Sequence, residues 1–252
     1  MANTFKLLGQ DSMTAQTNAA KVMALETTLA KSSRKLEALR DPYANYHKMS
    51  IAQLDKLTPG IDWKTWFSQL EVTNVDTVIV GQPEFYQTVG QLLKTKSLAD
   101  WKAYLSWQVA RTFAPTLSQP FVDGNFHFYN TVLRGATAMR PRWKQVLDMQ
   151  ENALGDALGQ LFVKEYFKPA AKIRYEKLVA AVQESFADHL KKLDWMSDTT
   201  KKVALVKLRK ITPKVGYPGK WKNYSSLSID RSSLAANVMR ANQWDYRYER
   251  NK

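Results

Sequence analysis

The chain has no cysteine, only three histidines among its 252 residues, and no long apolar run. The missing cysteine excludes disulfides and thiolate metal sites, and by itself leaves the compartment undecided. His47, His127 and His189 are too scattered for a metal-binding pair one helical turn apart. No window approaches the roughly 18 apolar residues that a membrane span requires. The opening MANTFKLLGQ lacks the apolar core of a signal peptide. Glycine and proline are also sparse, at ten and nine, and alternating strand patterns are nearly absent. With 44% hydrophobic residues to build a core, the expectation is an all-α array of packed amphipathic helices, a single helical domain over 1–252.

Acidic residues are short in supply too, 23 against 37 basic ones, for a net charge of +14. The imbalance is local: thirteen lysines and arginines from Lys201 to Lys252 stand against Asp230, Asp245 and Glu249. One reading is a surface for nucleic acid or an acidic partner. The other, preferred because no recognition motif accompanies the charge, is a solvated face or one that meets another part of a larger protein.

Asp11 or Ser12 can cap a long helix with Ala15, Ala19, Val22, Met23, Leu29, Ala30 and Leu36 on one side. Glu26, the polar member of that stripe, reads as ion-paired or capping a neighbour rather than catalytic. Ser50 and Gln53 form a capping box with Met49 and Leu54 as its staple. Asp62 caps a short segment that carries Trp63 as a core residue. Val75 to Val80 is the only β-like run, and its isolation predicts an extended connector rather than a sheet. Pro83 opens a helix, and Ser97 with Asp100 caps the next, whose stripe is Trp101, Tyr104, Leu105, Val109 and Phe113. Phe121, Phe126, Phe128 and Tyr129 have helix-compatible spacing and read as packing rather than base stacking, with His127 among them as a core histidine.

Pro141-Arg142-Trp143 opens the strongest helix, with one apolar face running through five turns to Leu161. Gly159 inside it costs about 1 kcal/mol relative to alanine, which predicts close approach by a neighbouring helix. Ile173, Leu178, Val179, Val182, Phe186 and Leu190 predict the inward face of another helix. Ser197 caps a helix through Val203, Ala204, Leu208 and Ile211 that Pro213 stops. Gly216-Tyr217-Pro218, with Trp221 and Tyr224 behind it, forms a rigid aromatic turn whose rings need a packing surface. A last helix is expected from Ser232 to Trp244, with residues 225–252 as an approach or linker.

These words resemble the neprilysin family of zinc metallopeptidases, in the part that precedes the catalytic domain. The family's T-K…A…K-L…I helix corresponds to Thr200, Lys201, Ala204, Lys207, Leu208 and Ile211. It leads into K-[IV]-G-Y-P and a tryptophan at Lys214, Val215, Gly216, Tyr217, Pro218 and Trp221. L-E-x-x-L-A falls at Leu25, Glu26, Leu29 and Ala30, followed by Arg40, Asp41 and Pro42 as R-D-P. Pro59, Ile61, Asp62 and Trp63 match P-x-[IV]-[DN]-W, while P-R-W stands at Pro141, Arg142 and Trp143, and Leu158 with Gly159 opens a further shared word. The resemblance implies a helical lid that faces a thermolysin-like catalytic domain across a closed cavity and admits only small peptides. It implies an extracytoplasmic parent, a catalytic domain as partner in the same polypeptide or a separate chain, and a chain that begins inside the family's helical domain.

The chemistry of such a peptidase needs H-E-x-x-H, two zinc ligands on one helix face with a glutamate that activates water. None of the three histidines is followed by glutamate. No phosphate-cradling glycine loop and no G-x-S-x-G occurs either. The expectation is therefore no catalytic residue, no metal ligand and no cofactor in this chain, zinc being the parent's, and no cleavage by the chain alone. The competing class is an autonomous basic helical module that binds nucleic acid or an acidic protein.

Overall fold

The computed structural model describes residues 1 to 251. The chain divides into two compact units, Met1–Thr137 and the stretch from Ala138 onward. In the first unit lie α1 (Ala2–Leu7), α2 (Ser12–Ser32), α3 (Ile51–Leu57), α4 (Trp63–Gln69), α5 (Pro83–Thr95), α6 (Leu98–Phe113) and α7 (Gln119–Phe126). The second holds α8 (Arg142–Tyr166), α9 (Pro169–Lys192), α10 (Asp198–Arg209) and α11 (Leu234–Arg250). The fold is all-α, as its periodicity predicts.

Helix starts follow local chemistry. Asp11 accepts from the amides of Met13 and Thr14 at 2.9 and 3.0 Å, satisfying donors that the first turn leaves unpaired. Both capping boxes form: Ser50 with Gln53 opens α3, and Ser97 with Asp100 opens α6. Asp62, Ser197 and Ser233 cap α4, α10 and α11.

The β-like run is not a lone connector. Strand β1 (Lys48–Ser50) pairs antiparallel with β2 (Thr77–Ile79), Met49 opposite Val78. The partner lies in a polar stretch with no alternation of its own, so nothing local announced it. Met49 and Val78 pack beside buried Leu54, Trp63 and Val80, with Tyr86 closing that cluster.

The core of the first unit lies where α2 crosses α1, α5 and α6. Phe5, Ala15, Val22, Ala103 and Trp107 form one buried cluster, and Leu25, Leu29 and Leu92 another. The expected stripe of α6 is displaced: Leu105 and Val109 are exposed, and Ala103, Trp107 and Ala110 are buried. That set keeps the i, i+4, i+7 spacing and brings two alanines inward, which lets α2 approach closely. On α2, Met23 is exposed, and Leu36 lies beyond the helix end at Ser32 and is also exposed.

In the second unit α11 packs against α8, and α10 against α9. Among the described residues only Leu190 and Ala241 are buried there. The inward face expected for α9 is buried at Leu190 and partly covered at Val179, but Ile173, Leu178, Val182 and Phe186 are each more than half exposed. Trp143, Leu147 and Leu161 of α8 are exposed as well, and its five-turn face is broken at Leu154, where φ is −135° and ψ 33°. Helical periodicity identified apolar faces here, but the chain itself does not bury them.

Candidate functional site

The most specific word of the sequence builds a clasp in the second unit. Gly216 has φ +69°, and a side chain there would place Cβ 2.8 Å from the Phe167 ring, so only glycine fits. Tyr217 meets Phe167 edge to face at 5.8 Å and stacks on Trp221 at 6.0 Å with planes 11° apart. Lys172 of α9 donates to the Tyr217 carbonyl at 2.9 Å and sits 4.2 Å from the centre of its ring. Trp221 lies across Gly159 of α8, 3.2 Å from where a Cβ would stand. The close neighbour inferred for Gly159 is thus an indole ring rather than a helix, and the missing side chain makes room for it.

The clasp continues into α11. The Lys222 amide donates to Asp156 of α8 at 2.8 Å. Its ammonium pairs with Asp245 at 2.6 Å and Glu249 at 3.2 Å, and lies 4.7 Å over the Tyr248 ring. Asp245 first, then Glu249, raises the Lys222 pKa well above the usual range. Trp244 packs on Tyr224 at 4.7 Å and stacks on Tyr248 at 5.2 Å, its indole N–H reaching Ser226 at 2.9 Å. The expected approach segment is therefore ordered helix from Leu234 to Arg250, longer than the sequence signal. Within it Arg240 is matched by Asp230 at 2.6 Å, and its acids Asp245 and Glu249 match Lys222, which precedes it.

In the first unit, Glu26 accepts from Gln108 of α6 at 2.8 Å and, among the described residues, neither pairs with a lysine or arginine nor caps a helix. Asp41 caps its own turn, accepting from the amides of Tyr43 and Ala44 at 2.9 and 3.1 Å. Trp63 is buried, as expected, while Arg40, Arg142, Trp143 and Lys207 are exposed. The organising residue is one the motifs did not single out. Arg34 pairs with both oxygens of Glu84 and donates to the Ala44 carbonyl and to Asn45, while its amide donates to Gln82 at 2.8 Å. It ties the end of α2 to the R-D-P turn and to the start of α5. That hydrogen bond from Arg34 holds the Glu84 carboxyl below its ordinary range.

Zinc does not fit the residues present. His47 donates through Nδ1 to the Val80 carbonyl at 2.9 Å, and His189 is exposed on α9. His127 is exposed rather than in the core, because the helix loosens into a π-helical turn over His127–Val132. No group of three or more His, Asp or Glu that could hold a metal is found among the described residues. Among the described residues no helix is long and apolar enough to cross a membrane.

The model of peptidase family M13 matches residues 1–218. Human endothelin-converting enzyme 1 is 30% identical over 223 residues, covering 86% of this chain and 29% of the relative. Neprilysin-3 of Drosophila melanogaster is 29% identical over 229 residues. Thus the chain spans less than a third of the length of these relatives. Among solved structures, the zinc metalloprotease ZMP1 of Mycobacterium tuberculosis in complex with an inhibitor is 36% identical, with TM-score 0.86 over 98% of this chain and 38% of that one. PEPO of Lactobacillus rhamnosis, 19% identical with TM-score 0.84, shares the fold. The clasp words, the helical array and these likenesses together place the chain in peptidase family M13, as the family's N-terminal helical region.

Proposed function

We propose that the chain is the non-catalytic lid and substrate-access region of a neprilysin-like zinc metalloendopeptidase that cleaves small peptides. The observation that carries the reading is the family match over residues 1–218 in a chain without H-E-x-x-H. Two further facts support it. Large apolar side chains of α8 and α9, among them Trp143, Leu161, Leu178 and Val182, are more than half exposed, as residues that meet another surface would be. ZMP1, covered over 98% of this chain, has been solved in an open state, as a region that admits substrate by moving would require.

On this reading zinc and the attacking water belong to a catalytic domain, in the same polypeptide or a separate chain, and this region contributes excluded volume and cavity contacts. The clasp around Tyr217 and Trp221 is structural: it holds the turn against α8 and α9 so that the apolar faces keep their mutual geometry. The setting is extracytoplasmic, in keeping with the family. A peptide-cleavage assay of the purified chain, alone and with a family catalytic domain, tests the proposal. Cleavage that needs the second component supports it, and cleavage by this chain alone overturns it.

A further inference from the structure

A cavity of about 440 Å³ opens in the first unit between α1, α6 and the π-helical turn that follows α7. Its wall is mostly apolar, with Leu7, Trp107, Phe121, Phe128 and Tyr129, and no acidic residue among the described residues lines it. Arg111 is the one lysine or arginine side chain among the described residues of the wall, which Met1 and His127 also line. Arg111 leaves the end of α6 with its guanidinium carbon 5.3 Å from the Trp107 ring centre. It donates to Gln108 at 2.9 Å, and Gln108 in turn donates to Glu26 at 2.8 Å. That relay orients the guanidinium through an amide and leaves Arg111 without an ion pair among the described residues. A guanidinium carries five N–H donors in a planar fork that matches a carboxylate.

The volume lies in the ordinary range for small-molecule sites, which combine apolar walls with a few convergent polar groups. π-helical turns interrupt α-helical hydrogen bonding at some cost and occur frequently at functional sites. The one here, His127–Val132, supplies Phe128 and Tyr129 to the wall. We infer that this cavity is a binding site for a small apolar carboxylate, whose ring or alkyl group packs on Trp107 and Phe128 while Arg111 takes the carboxylate. Two sources offer that chemistry: a free aromatic acid, or the last residue of a peptide with an apolar C terminus. The inference does not rest on the peptidase reading, because binding is measured on this chain without cleavage.

Calorimetric titration of the intact chain with 3-phenylpropionate, 3-phenylpropionamide and acetyl-alanyl-phenylalanine tests it. Saturable binding of an acid at least about tenfold tighter than the amide is expected, from a charge-assisted hydrogen bond made only by the acid. The tighter of the two acids identifies the source. Arg111→Gln should bring the acid down to the level of the amide, and Arg111→Lys should retain part of the preference. Because Arg111 is exposed, unchanged circular dichroism and melting of the variants serve as the control for folding. Should a variant fail that control, the comparison of acid and amide on the unaltered chain decides alone. Equal binding of acid and amide, or no saturable binding of any of the three, overturns the inference.

Discussion

The edge of the Trp221 indole abuts Gly159, so close that an added Cβ would stand 3.2 Å from Cζ3 and 3.6 Å from Cη2. A helix interior normally favours alanine over glycine by about 1 kcal/mol, so the glycine serves the ring rather than the helix. Gly159→Leu should displace Trp221 and lower stability by about 1 to 3 kcal/mol, the usual cost of overpacking. Urea unfolding should show it as a lower midpoint. An unchanged midpoint would mean that the ring gives way freely and that the clasp holds nothing.

Gly216 poses a sharper constraint, since both backbone and space exclude a side chain. Its φ of +69° strains any other residue, and the Phe167 ring fills the place of a Cβ at 2.8 and 2.9 Å. Gly216→Ala should cost about 1 to 3 kcal/mol. Adding Phe167→Leu should recover the steric part but not the dihedral part, so the double variant should be less destabilised than the sum of the two single ones. Additive effects would remove Phe167 from the explanation.

Lys172→Met keeps most of the apolar stem and removes the ammonium that bonds the Tyr217 carbonyl and faces its ring. A loss of about 1 kcal/mol is expected in thermal or denaturant unfolding, the usual size for one partly exposed hydrogen bond with a cation–π contact. No change at all would show that the GYP turn is held by its rings alone.

Arg34 and Glu84 give a pH dependence of definite sign. The folded state depresses the Glu84 pKa, chiefly through the hydrogen bond from Arg34. The unfolded chain therefore binds a proton more readily, and the pair's contribution is fully present above the ordinary value of 4.5 and lost as pH falls through the lower folded value. Melting temperatures of the unaltered chain and of Glu84→Gln should differ more at pH 6 than at pH 3. The Glu84 side chain is 42% exposed, so solvent and salt reduce the effect. A gap that widens on acidification would contradict the assignment.

The parts of this fold that were legible in the sequence are those written in adjacent residues. Ser50 with Gln53, Ser97 with Asp100, Asp11 and Asp62 announce helix starts because a cap bonds amides two or three residues away. The GYP turn was legible for the same reason, in that glycine and proline fix its backbone locally. What failed depends on partners distant in the chain. The pairing of β2 with β1 bridges nearly thirty residues, and the neighbour of Gly159 comes from a turn some sixty residues later. Arg34 gave no local signal, since its role comes from Glu84, Ala44 and Asn45, brought together only on folding. Periodicity marked the apolar face of α9 correctly as apolar, but it cannot say whether this chain or another surface covers it. His127 was misplaced because a π-helical turn rotates side chains away from the 3.6-residue pattern.

The most direct test of the account is cleavage of short apolar peptides by the purified chain with added zinc, beside the same chain mixed with a catalytic domain of the family that carries H-E-x-x-H. The account predicts no cleavage by the chain alone, and in the mixture chelator-sensitive cleavage confined to short peptides, whereas the catalytic domain by itself lacks that length limit. Chelator-sensitive cleavage by the chain alone would contradict it.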